Sequence, residues 1–342
     1  MHTDGGGERP PAMTDVAKAA AVSHQTVSRV LNGHPNVRPV TRERVLAAIE
    51  KLGYQPNLAA RALASGRSTQ LGLVTLNTML LGPVATLYAV EQAARAAGYS
   101  VSVTSVGSIE RRSLSDSLTR LVQQSVAGVI IIAPVASRDS ALEALPPELP
   151  AVVVEADPLQ DISAVVVDQR QGAYLATRHL LDLGHRTVFH IAGPRDWFEA
   201  QERVVGWTTA LQEAGAEIPP VISGDWSAQS GYDAGRVLAG AREVTAVFAA
   251  NDNMALGLFR ALSEHGRSVP RDVSVVGFDD LPEAGFFTPP LTSVRQDFAE
   301  MGRRSVELIL RQVVGDARAV EHITLRPELV LRESTAPPPT AS

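Results

Sequence analysis

The sequence predicts an all-α helix-turn-helix headpiece at the N-terminus, followed by an α/β core of two doubly wound parallel-sheet lobes. Three short helical patterns, with a tight turn between the first two, indicate the headpiece within residues 12–56. From about Thr69 onward, apolar runs of strand length alternate with helical patterns, which is typical of parallel sheets covered by helices. About 265 residues of this pattern exceed one sheet of usual size, so we expect two lobes with a cleft between them.

The segment from Ser23 to Asn32 predicts the helix that enters the major groove of DNA. Serine is a favoured N-cap residue, and an apolar stripe at helical spacing is formed by Val27, Val30 and Leu31. The opposite face is polar and carries His24, Gln25, Ser28 and Arg29. Glutamine and arginine can each make two hydrogen bonds to one base edge. The short polar groups suited to phosphate contacts are Thr26, Ser28 and Asn32.

Two further helices complete the predicted headpiece. Met13 to Ala20 precedes a tight turn at Ala21-Val22, and Thr41 to Leu52 follows a loop; both segments have apolar residues on one face. Three short helices in this order form a helix-turn-helix unit. From the pattern alone, a pair of ordinary surface helices remains an open alternative.

Three motifs in this region extend over about 45 residues: Asp15-Val-Ala-x-x-Ala-x-Val-Ser-x-Gln-Thr-Val-Ser-Arg-Val-Leu-Asn32, Thr41-Arg-Glu-Arg-Val-x-x-Ala-Ile, and Leu52-Gly-Tyr-x-Pro-Asn57. Together they resemble the DNA-binding headpiece of the LacI-type (lac repressor/GalR) family of transcriptional regulators. The resemblance implies DNA contacts from Ser23, His24, Gln25, Thr26, Ser28, Arg29, Asn32, Thr41 and Tyr54.

Two headpiece positions depart from the family pattern. Ala21 stands where the turn commonly has glycine, and a positive φ there would cost an alanine on the order of 1 kcal/mol. Arg38 stands where a serine usually caps the third helix, so we expect that cap and its phosphate contact to be missing.

Residues 57–68 are expected to form a hinge helix or linker. The Ala-rich stretch from Asn57 to Gly66 is too short for a stable isolated helix, and by itself it indicates a linker. The resemblance implies instead a hinge helix that orders on operator DNA and pairs with its counterpart in a second protomer. Leu63 would then enter the minor groove, with Asn57 and Ala60 beside the same base step.

Polar residues follow several predicted strands of the core: Glu155, Asn251-Asp252 and Asp279-Asp280. In open α/β sheets, ligands bind beyond the carboxyl ends of the strands, so we expect these groups to face the cleft. Strand ends are also polar simply because they reach the surface, and that alternative is open on position alone.

Seven motifs in the core are similar to the effector-binding core of the same family, which is periplasmic-binding-protein-like. They are His185-Arg, Ala192-Gly-Pro194, Arg203-x-x-Gly-Trp207, Gly224-Asp-Trp-Ser-Ala-x-Ser-Gly231, Ala250-Asn-Asp-x-Met-Ala-Leu-Gly257, Asp272-Val-Ser-Val-Val-Gly-Phe-Asp-Asp280 and Pro289-Pro-Leu-Thr-x-x-x-Gln-Asp-Phe298. The resemblance implies ligand contacts from Glu155, Arg203, Trp226, Asn251, Asp279, Gln296 and Phe298. An apolar wall in the other lobe would come from Leu80, Gly82 and Pro83.

The chemistry of these side chains suits a sugar. Arg203 offers hydrogen-bond donors, Asn251 offers a donor and an acceptor, and Trp226 offers a face on which a sugar ring stacks. Glu199 and Arg203 are spaced i,i+4, which also fits an exposed helical ion pair. We favour a carboxylate beside the guanidinium that binds a hydroxyl, with Trp197 as a second stacking face.

Composition narrows the class of protein. The 342 residues have a net charge of −6, no cysteine and no long apolar run, and the first residues lack the apolar stretch of a secretory signal. We therefore expect a cytoplasmic, nucleoid-associated protein. Residues 1–67 have a balance of +4 and the remainder −10, which suits a chain that binds a polyanion at one end. No phosphate-binding loop, nucleophile elbow or metal-spaced histidine motif is found, so we expect no enzyme, no cofactor and no metal.

The expected domain organisation has five parts: a disordered tail at 1–11, the headpiece at 12–56, the hinge at 57–68, the effector-binding core at 69–334 and a disordered tail at 335–342. Within the core, we expect an N-lobe at about 69–167 and 298–325, and a C-lobe at about 168–297 and 326–334. The proline-rich C-terminus cannot form the heptad helix by which the lac repressor branch makes tetramers, so a homodimer is expected.

The sequence thus predicts a sequence-specific DNA-binding repressor of carbohydrate-utilisation genes. A sugar bound between the core lobes, with a galactoside as one candidate, would release it from a pseudo-palindromic operator. Three alternatives stay open: a corepressor-dependent member of the family, an activating member, and a sugar-binding protein without a DNA function.

Overall fold

The computed structural model describes residues 11–31, 34–54, 68–76, 80–107, 111–132, 146, 148–155, 162–315 and 320–339. They belong to two separate units, divided between Ser68 and Thr69. Several predictions lie outside the described residues: the DNA contacts of Asn32, Asn57, Ala60 and Leu63, the hinge helix, and the N-terminal tail apart from Pro11.

The N-terminal unit contains helices α1 (Met13–Ala19), α2 (His24–Leu31) and α3 (Pro39–Leu52). Its core is formed by Val16, Ala17, Ala20, Val27, Val30, Val45, Ala48 and Tyr54. The helix-turn-helix arrangement is confirmed, and helix α3 begins two residues earlier than predicted because Pro39 is well suited to the first position of a helix. Gly53, at φ 60°, ends helix α3 in the left-handed region, where glycine is favoured.

The first lobe of the core is built on a parallel six-stranded sheet. Its strands are β1 (Gln70–Leu76), β2 (Ser100–Val106), β3 (Gly128–Ile132), β4 (Ala151–Val154), β5 (Ser163–Val167) and β11 (His322–Leu325), in the order β11-β5-β4-β3-β1-β2. Helices α4 (Leu81–Ala96), α5 (Arg111–Gln123) and α10 (Phe298–Val314) belong to this lobe.

The second lobe is built on another six-stranded sheet. Its strands are β6 (Phe189–Ala192), β7 (Ile222–Ser223), β8 (Ala246–Ala249), β9 (Ser274–Asp279), β10 (Thr292–Arg295) and β12 (Glu328–Val330), in the order β12-β10-β9-β8-β6-β7. Only β12 is antiparallel to its neighbour. The helices are α6 (Gln169–Asp182), α7 (Phe198–Glu213), α8 (Ala228–Ala239), α9 (Asp252–Glu264) and a 3₁₀ helix (Pro282–Phe286).

Both sheets are covered on both faces. In strand β1, Leu71 and Leu73 pack into one core cluster whereas Val74 packs into another. In strand β8, Val247 and Phe248 likewise belong to different clusters. Since successive side chains of a strand point to opposite faces, apolar burial on both faces identifies doubly wound sheets. The predicted fold class is therefore confirmed.

The chain passes between the two lobes at three places, and two of them matter for the site. The first follows strand β5, at Asp168, and the second follows strand β10, at Gln296-Asp297. Asp168 and Asp297 cap the helices that begin there, because each carboxylate accepts a hydrogen bond from a backbone N–H three residues later. The crossings are thus held in fixed backbone conformations.

The disordered tail expected at 335–342 is wrong for residues 335–339. The Thr335 hydroxyl is 3.0 Å from His179 Nε2, and the Ala336 carbonyl accepts hydrogen bonds from the Ser274 hydroxyl and the His185 ring. Ser334 lies fully buried just before them. The proline-rich composition suggested disorder, but prolines lose little freedom on ordering, and polar groups of the second lobe bind the backbone between them.

The described residues contain no helix both long and apolar enough to cross a bilayer.

Candidate ligand cavity and DNA-binding helix

A cleft lies between the two lobes of the core, and its empty space of about 390 Å³ includes open solvent. Its lining comprises Leu80, Leu81, Gly82, Pro83, Glu155, Gln169, Trp197, Glu199, Arg203, Trp226, Asn251, Asp279 and Gln296. Eleven of the twelve predicted ligand-binding residues are therefore brought together. They come from the start of helix α4, the ends of strands β4, β8 and β9, the first turns of helix α7, the loop before helix α8 and the lobe crossing at Gln296.

Arg203 belongs to a closed ring of four planar polar side chains, which are joined by three hydrogen bonds and one ion pair. Its Nε donates to Gln169 Oε1 at 2.9 Å, and Gln169 Nε2 donates to Gln296 Oε1 at 2.8 Å. Gln296 Nε2 then donates to Asp279 Oδ1 at 2.7 Å, and the same oxygen is 3.7 Å from Arg203 Nη2. Because Gln169 and Gln296 lie at the lobe crossings, the ring joins the guanidinium to the connections between the lobes.

The guanidinium of Arg203 is also fixed on its other sides. Its Nη1 donates to the Ala250 carbonyl, and its Cζ lies 3.7 Å from the Phe278 ring centre and 5.3 Å from that of Trp226. A guanidinium has five N–H donors. The contacts above leave donor hydrogens on both terminal nitrogens for a ligand.

Glu199 and Arg203 do not form the exposed ion pair that their spacing allows. Both are buried, with 6% and 3% of their surface exposed, and among the described residues the ion-pair partner of Arg203 is Asp279. Glu155 Oε1 accepts a hydrogen bond from the Thr86 hydroxyl at 3.3 Å. The second oxygens of both glutamates, Glu155 Oε2 and Glu199 Oε2, are buried without a hydrogen-bond partner.

The cavity carboxyls resist ionisation. Burial, followed by the charge of Asp279, raises the pKa of Glu155 to about 7. Burial raises the pKa of Asp279 to about 6, although Arg203 and Gln296 lower it. Burial, and then the charge of Glu155, raise the pKa of Glu199 well above its ordinary value. Near neutral pH the cavity therefore holds both protonated and ionised carboxyls, which can donate as well as accept hydrogen bonds.

Trp226 packs closely against backbone. A Cβ atom on Gly193 would overlap its indole ring, so glycine is required at that position. Trp197 meets Trp226 edge-on, with ring centres 5.6 Å apart, and the indole nitrogen of Trp226 is buried without a partner. Two apolar ring surfaces and an unpaired donor thus stand at one side of the cavity.

Three cavity residues have left-handed backbone: Glu155 at φ 60°, Trp226 at φ 72° and Asp279 at φ 100°. Such conformations cost non-glycine residues on the order of 1–3 kcal/mol and are concentrated at functional sites. No pattern in the sequence indicated this strain.

Polar residues at the strand ends divide into two groups. Glu155, Asn251 and Asp279 line the cavity. Asp252 instead accepts hydrogen bonds from the Ser293 hydroxyl and the Leu281 backbone, and Asp280 forms ion pairs with Arg295 and Arg332. The expectation that all five face the cleft is therefore wrong for these two, because strand β10 and neighbouring loops supply donors that bind them.

Asn251 has fewer hydrogen-bonding groups available for a ligand than predicted. Its Oδ1 accepts from the Met254 backbone at 2.9 Å, capping helix α9, and its Nδ2 donates to the Trp226 carbonyl at 3.0 Å. Its structural role is to hold Trp226 in place, and one amide hydrogen remains for a ligand.

Phe298 is the predicted residue that does not line the cavity. It packs against the core of the first lobe and lines an apolar groove between helices α4 and α10. Phe298 follows the second lobe crossing and is the first residue of helix α10. Its ring therefore lies against the first lobe. Conversely, Leu81 and Gln169 line the cavity but were not predicted. Gln169 follows strand β5, whose short apolar run Ala164-Val-Val-Val167 was the available signal.

In the N-terminal unit, helix α2 presents a polar exposed face. Ser23, His24, Gln25 and Arg29 are exposed, Thr26 and Ser28 are half-buried, and Val27 and Val30 face the core. Ser23 Oγ accepts from the Thr26 backbone at 3.2 Å, which confirms the predicted N-cap. The two hydroxyls are also hydrogen-bonded to each other at 2.9 Å. His24, Gln25 and Arg29 are therefore the exposed side chains on the polar face of helix α2.

Two other predicted DNA contacts lie elsewhere. Thr41 is half-buried in the first turn of helix α3. Tyr54 belongs to the headpiece core, with only 8% of its surface exposed. A DNA contact of Tyr54 would thus be limited to what remains exposed, since the residue packs inward.

The two departures from the family pattern have the expected local consequences. Ala21 has φ 50°, in the left-handed region, and Arg38 makes no side-chain cap to helix α3. Arg44 compensates at the turn, because its Nη2 donates to the carbonyls of Ala20 and Ala21 at 2.6 and 3.1 Å. Helix α3 is thereby tied to the turn between helices α1 and α2.

Comparison with known proteins agrees with both halves of this structure. Residues 12–57 match the profile of bacterial regulatory proteins of the lacI family, and residues 177–335 match that of the periplasmic binding protein-like domain. The chain is 36% identical over 337 residues to the lactose operon repressor of Escherichia coli (strain K12), covering 97% of this chain and 92% of that protein. The chain belongs to the lacI family.

Two solved structures are also similar to the chain. The lac repressor dimer bound to operator and the anti-inducer ONPF has a TM-score of 0.86 and 35% identity, covering 96% of this chain and all of that one. The complex of the transcriptional regulator CelR with cellobiose has a TM-score of 0.71 and 33% identity, covering 95% and 99%. As a member of the lacI family, this protein is a DNA-binding transcriptional regulator and not an enzyme.

Proposed function

We propose that this protein represses carbohydrate-utilisation genes and leaves a pseudo-palindromic operator when a sugar binds between its core lobes. The observation that carries the proposal is the cavity around Arg203, which combines unpaired buried polar atoms with two indole rings. A sugar hydroxyl can donate to a carboxylate oxygen and accept from a guanidinium, while the apolar face of the sugar ring stacks on tryptophan. A galactoside is our first candidate, in line with the similarity to the lactose operon repressor.

The same contacts offer a way to couple the ligand to the lobes. A ligand bound to the free donors of Arg203 would compete with or reinforce the bonds to Gln169 and Gln296. Since these glutamines lie at the lobe crossings, we expect ligand binding to shift the balance between two lobe arrangements. Operator affinity then follows the lobe arrangement favoured by the ligand.

Base recognition is assigned to helix α2. Gln25 and Arg29 have the side chains that bond adenine and guanine edges, and His24 is exposed beside them. We expect alanine at Gln25 or Arg29 to cost about 1–3 kcal/mol on the preferred operator and much less on random DNA, because base contacts carry the specificity.

We further propose that the protein acts in the cytoplasm as a homodimer, assembled through its core lobes. The groove between helices α4 and α10 is apolar, and Tyr88 at its edge is 64% exposed. In the second lobe, Val237 and Phe286 are also largely exposed. An apolar groove of this kind, together with large exposed apolar side chains, supports an interface between subunits. Sedimentation of the wild type as a dimer, and of Tyr88→Glu as a monomer, would support this assignment; a wild-type monomer would oppose it.

The function is tested by fluorescence anisotropy on a pseudo-palindromic probe selected from random DNA. We expect tight binding that weakens steeply with salt, and release by a neutral galactoside or glucoside at millimolar concentration. Tighter DNA binding with the sugar would instead indicate a corepressor. Specific DNA binding that no sugar alters would refute the proposed ligand class, and the absence of specific DNA binding would refute the proposed function as a whole.

A further inference from the structure

The carboxyls of the cavity outnumber its cations. Glu155, Glu199 and Asp279 line it together with a single guanidinium, that of Arg203. Asp279 is the carboxylate nearest to Arg203, so the positive charge is already balanced. Asp252 is a further buried acidic group, near enough for the charge of Asp279 to add to the effect of burial in raising its pKa. The two glutamates therefore form an acidic pair without a cation of their own among the described residues.

The two glutamates also share one structural feature, a buried oxygen atom without a hydrogen bond. Each has one oxygen that is buried and lacks any hydrogen-bond partner, Glu155 Oε2 and Glu199 Oε2. The pair is close enough for the charge of Glu155 to disfavour ionisation of Glu199. Buried unpaired carboxyl oxygens are costly, so two of them in one cavity indicate a ligand that supplies donors to both.

Three kinds of ligand group could pair with those oxygens. A sugar hydroxyl has one hydrogen and no charge, so it can pair with one oxygen but cannot offset the charge of two ionised carboxylates. A metal ion needs more ligands, and the described residues contain no group of three His, Cys, Asp or Glu side chains that could hold one. A protonated amine has two or three N–H donors and one positive charge, so it satisfies both oxygens and offsets the pair.

We infer that the sugar bound in this cavity carries a basic nitrogen, as amino and imino sugars do, and that the protonated nitrogen binds between Glu155 and Glu199. This inference rests on the proposed function and narrows its ligand class. Arg203 and the indole of Trp226 then bind the remaining hydroxyls and the apolar face of the same ring.

Calorimetric titration of the full-length protein at pH 7.5 tests this inference with matched compounds. D-Glucose and D-galactose are compared with their 2-amino-2-deoxy, 6-amino-6-deoxy and 1-deoxy-imino derivatives, and with the neutral N-acetyl forms. We expect at least one amine to bind ten-fold or more tightly than its neutral parent, and N-acetylation to remove the gain. Binding of that amine should also release protons from the glutamate pair, as measured in two buffers of different ionisation enthalpy.

Two substitutions locate the effect. Glu199→Gln keeps the size of the side chain but cannot ionise, and it should reduce the preference for the amine over its neutral parent to less than three-fold. Glu202→Gln is the matched control, because Glu202 lies on the same helix but pairs with Arg170 outside the cavity. It should leave the preference unchanged.

The experiments distinguish a failure of this inference from a failure of the proposed function. If neutral sugars bind and no amine binds more tightly, the basic nitrogen is refuted while the sugar-responsive function stands. If an amine is preferred equally by the wild type and Glu199→Gln, the nitrogen does not bind at the glutamate pair and the inference is refuted. If none of these compounds binds, both the inference and the proposed ligand class are refuted.

Discussion

At the scale of single residues, the protein holds several side chains in backbone conformations that they disfavour. Ala21 in the headpiece turn and Glu155, Trp226 and Asp279 in the cavity all have positive φ. In the cavity, this conformation lets a residue that follows a strand turn its side chain into the space between the lobes. At Ala21 no such gain is visible, and the carbonyls there are held by Arg44.

The residue Ala21 gives the first prediction. Ala21→Gly should raise the free energy of unfolding of the headpiece by about 0.5–1 kcal/mol, since glycine tolerates positive φ. Hydrogen exchange of the amides in residues 13–54 of the intact protein measures this as slower exchange. Ala47→Gly, at an exposed position inside helix α3, is the control and should cost about 1 kcal/mol. Faster exchange in Ala21→Gly would contradict the prediction.

The Glu155 side chain gives the second prediction. Its pKa in the folded state, about 7, exceeds its ordinary value of 4.5, chiefly because of burial. The folded state therefore holds this proton more tightly than the unfolded state, so the associated stability is present below about pH 4.5 and is lost as the pH rises through 7. Glu155→Gln cannot ionise and should remove on the order of 2–3 kcal/mol of that pH dependence.

Urea unfolding without ligand at pH 5, 6, 7 and 8 measures the effect. Tryptophan fluorescence reports the core alone, because all three tryptophans, Trp197, Trp207 and Trp226, lie in it. Glu202→Gln should keep the wild-type pH dependence. If the free energy of unfolding changes with pH in the same way for the wild type and Glu155→Gln, then burial does not make Glu155 resist ionisation.

Much of the site could be predicted at this scale, although not its hydrogen bonding. Motif positions identified Arg203, Trp226 and Asp279 as neighbours, and the structure brings them together. They did not reveal that Asn251 caps helix α9 or that Tyr54 packs inward. Such facts depend on which backbone groups lie within 3 Å after folding, and a local pattern contains no information about those distances.

At the scale of elements, long apolar or amphipathic segments were predictable and short ones were not. The apolar runs at 71–76 and 128–133 stand out in the sequence, and strands β1 and β3 agree with the bounds of these runs within one residue. Strands β7 and β12 have two and three residues and take their conformation from neighbouring strands. The C-terminal segment was misjudged for a related reason, since its order depends on His179, His185 and Ser274, which are distant in sequence.

The C-terminal segment gives the third prediction. A chain ending at Ser334 loses the hydrogen bonds that His179, His185 and Ser274 make to residues 335 and 336. At about 1 kcal/mol for each bond, its core should lose on the order of 2–4 kcal/mol of unfolding free energy in urea. A chain ending at Pro339 keeps these bonds and should match the full chain. Equal stability of the two truncated chains would show that the segment does not stabilise the core.

At the scale of the whole molecule, function requires that the ligand cavity and the DNA-binding helix influence each other. The lobe crossings at Gln169 and Gln296 belong to the hydrogen-bonded ring of Arg203, so ligand binding and lobe arrangement share the same contacts. Two sites coupled through one two-state body obey a reciprocal relation, in which each ligand changes the affinity of the other by the same factor.

The affinity of a neutral or amino sugar for the protein, with and without saturating operator, tests this coupling most directly. Isothermal titration gives both values, and anisotropy gives the operator affinity with and without the same sugar. We predict that the operator weakens sugar binding by about five-fold or more, and that the sugar weakens operator binding by the same factor. An identical sugar affinity in the presence and absence of operator would contradict the coupling, and with it the proposal that the cavity controls DNA binding.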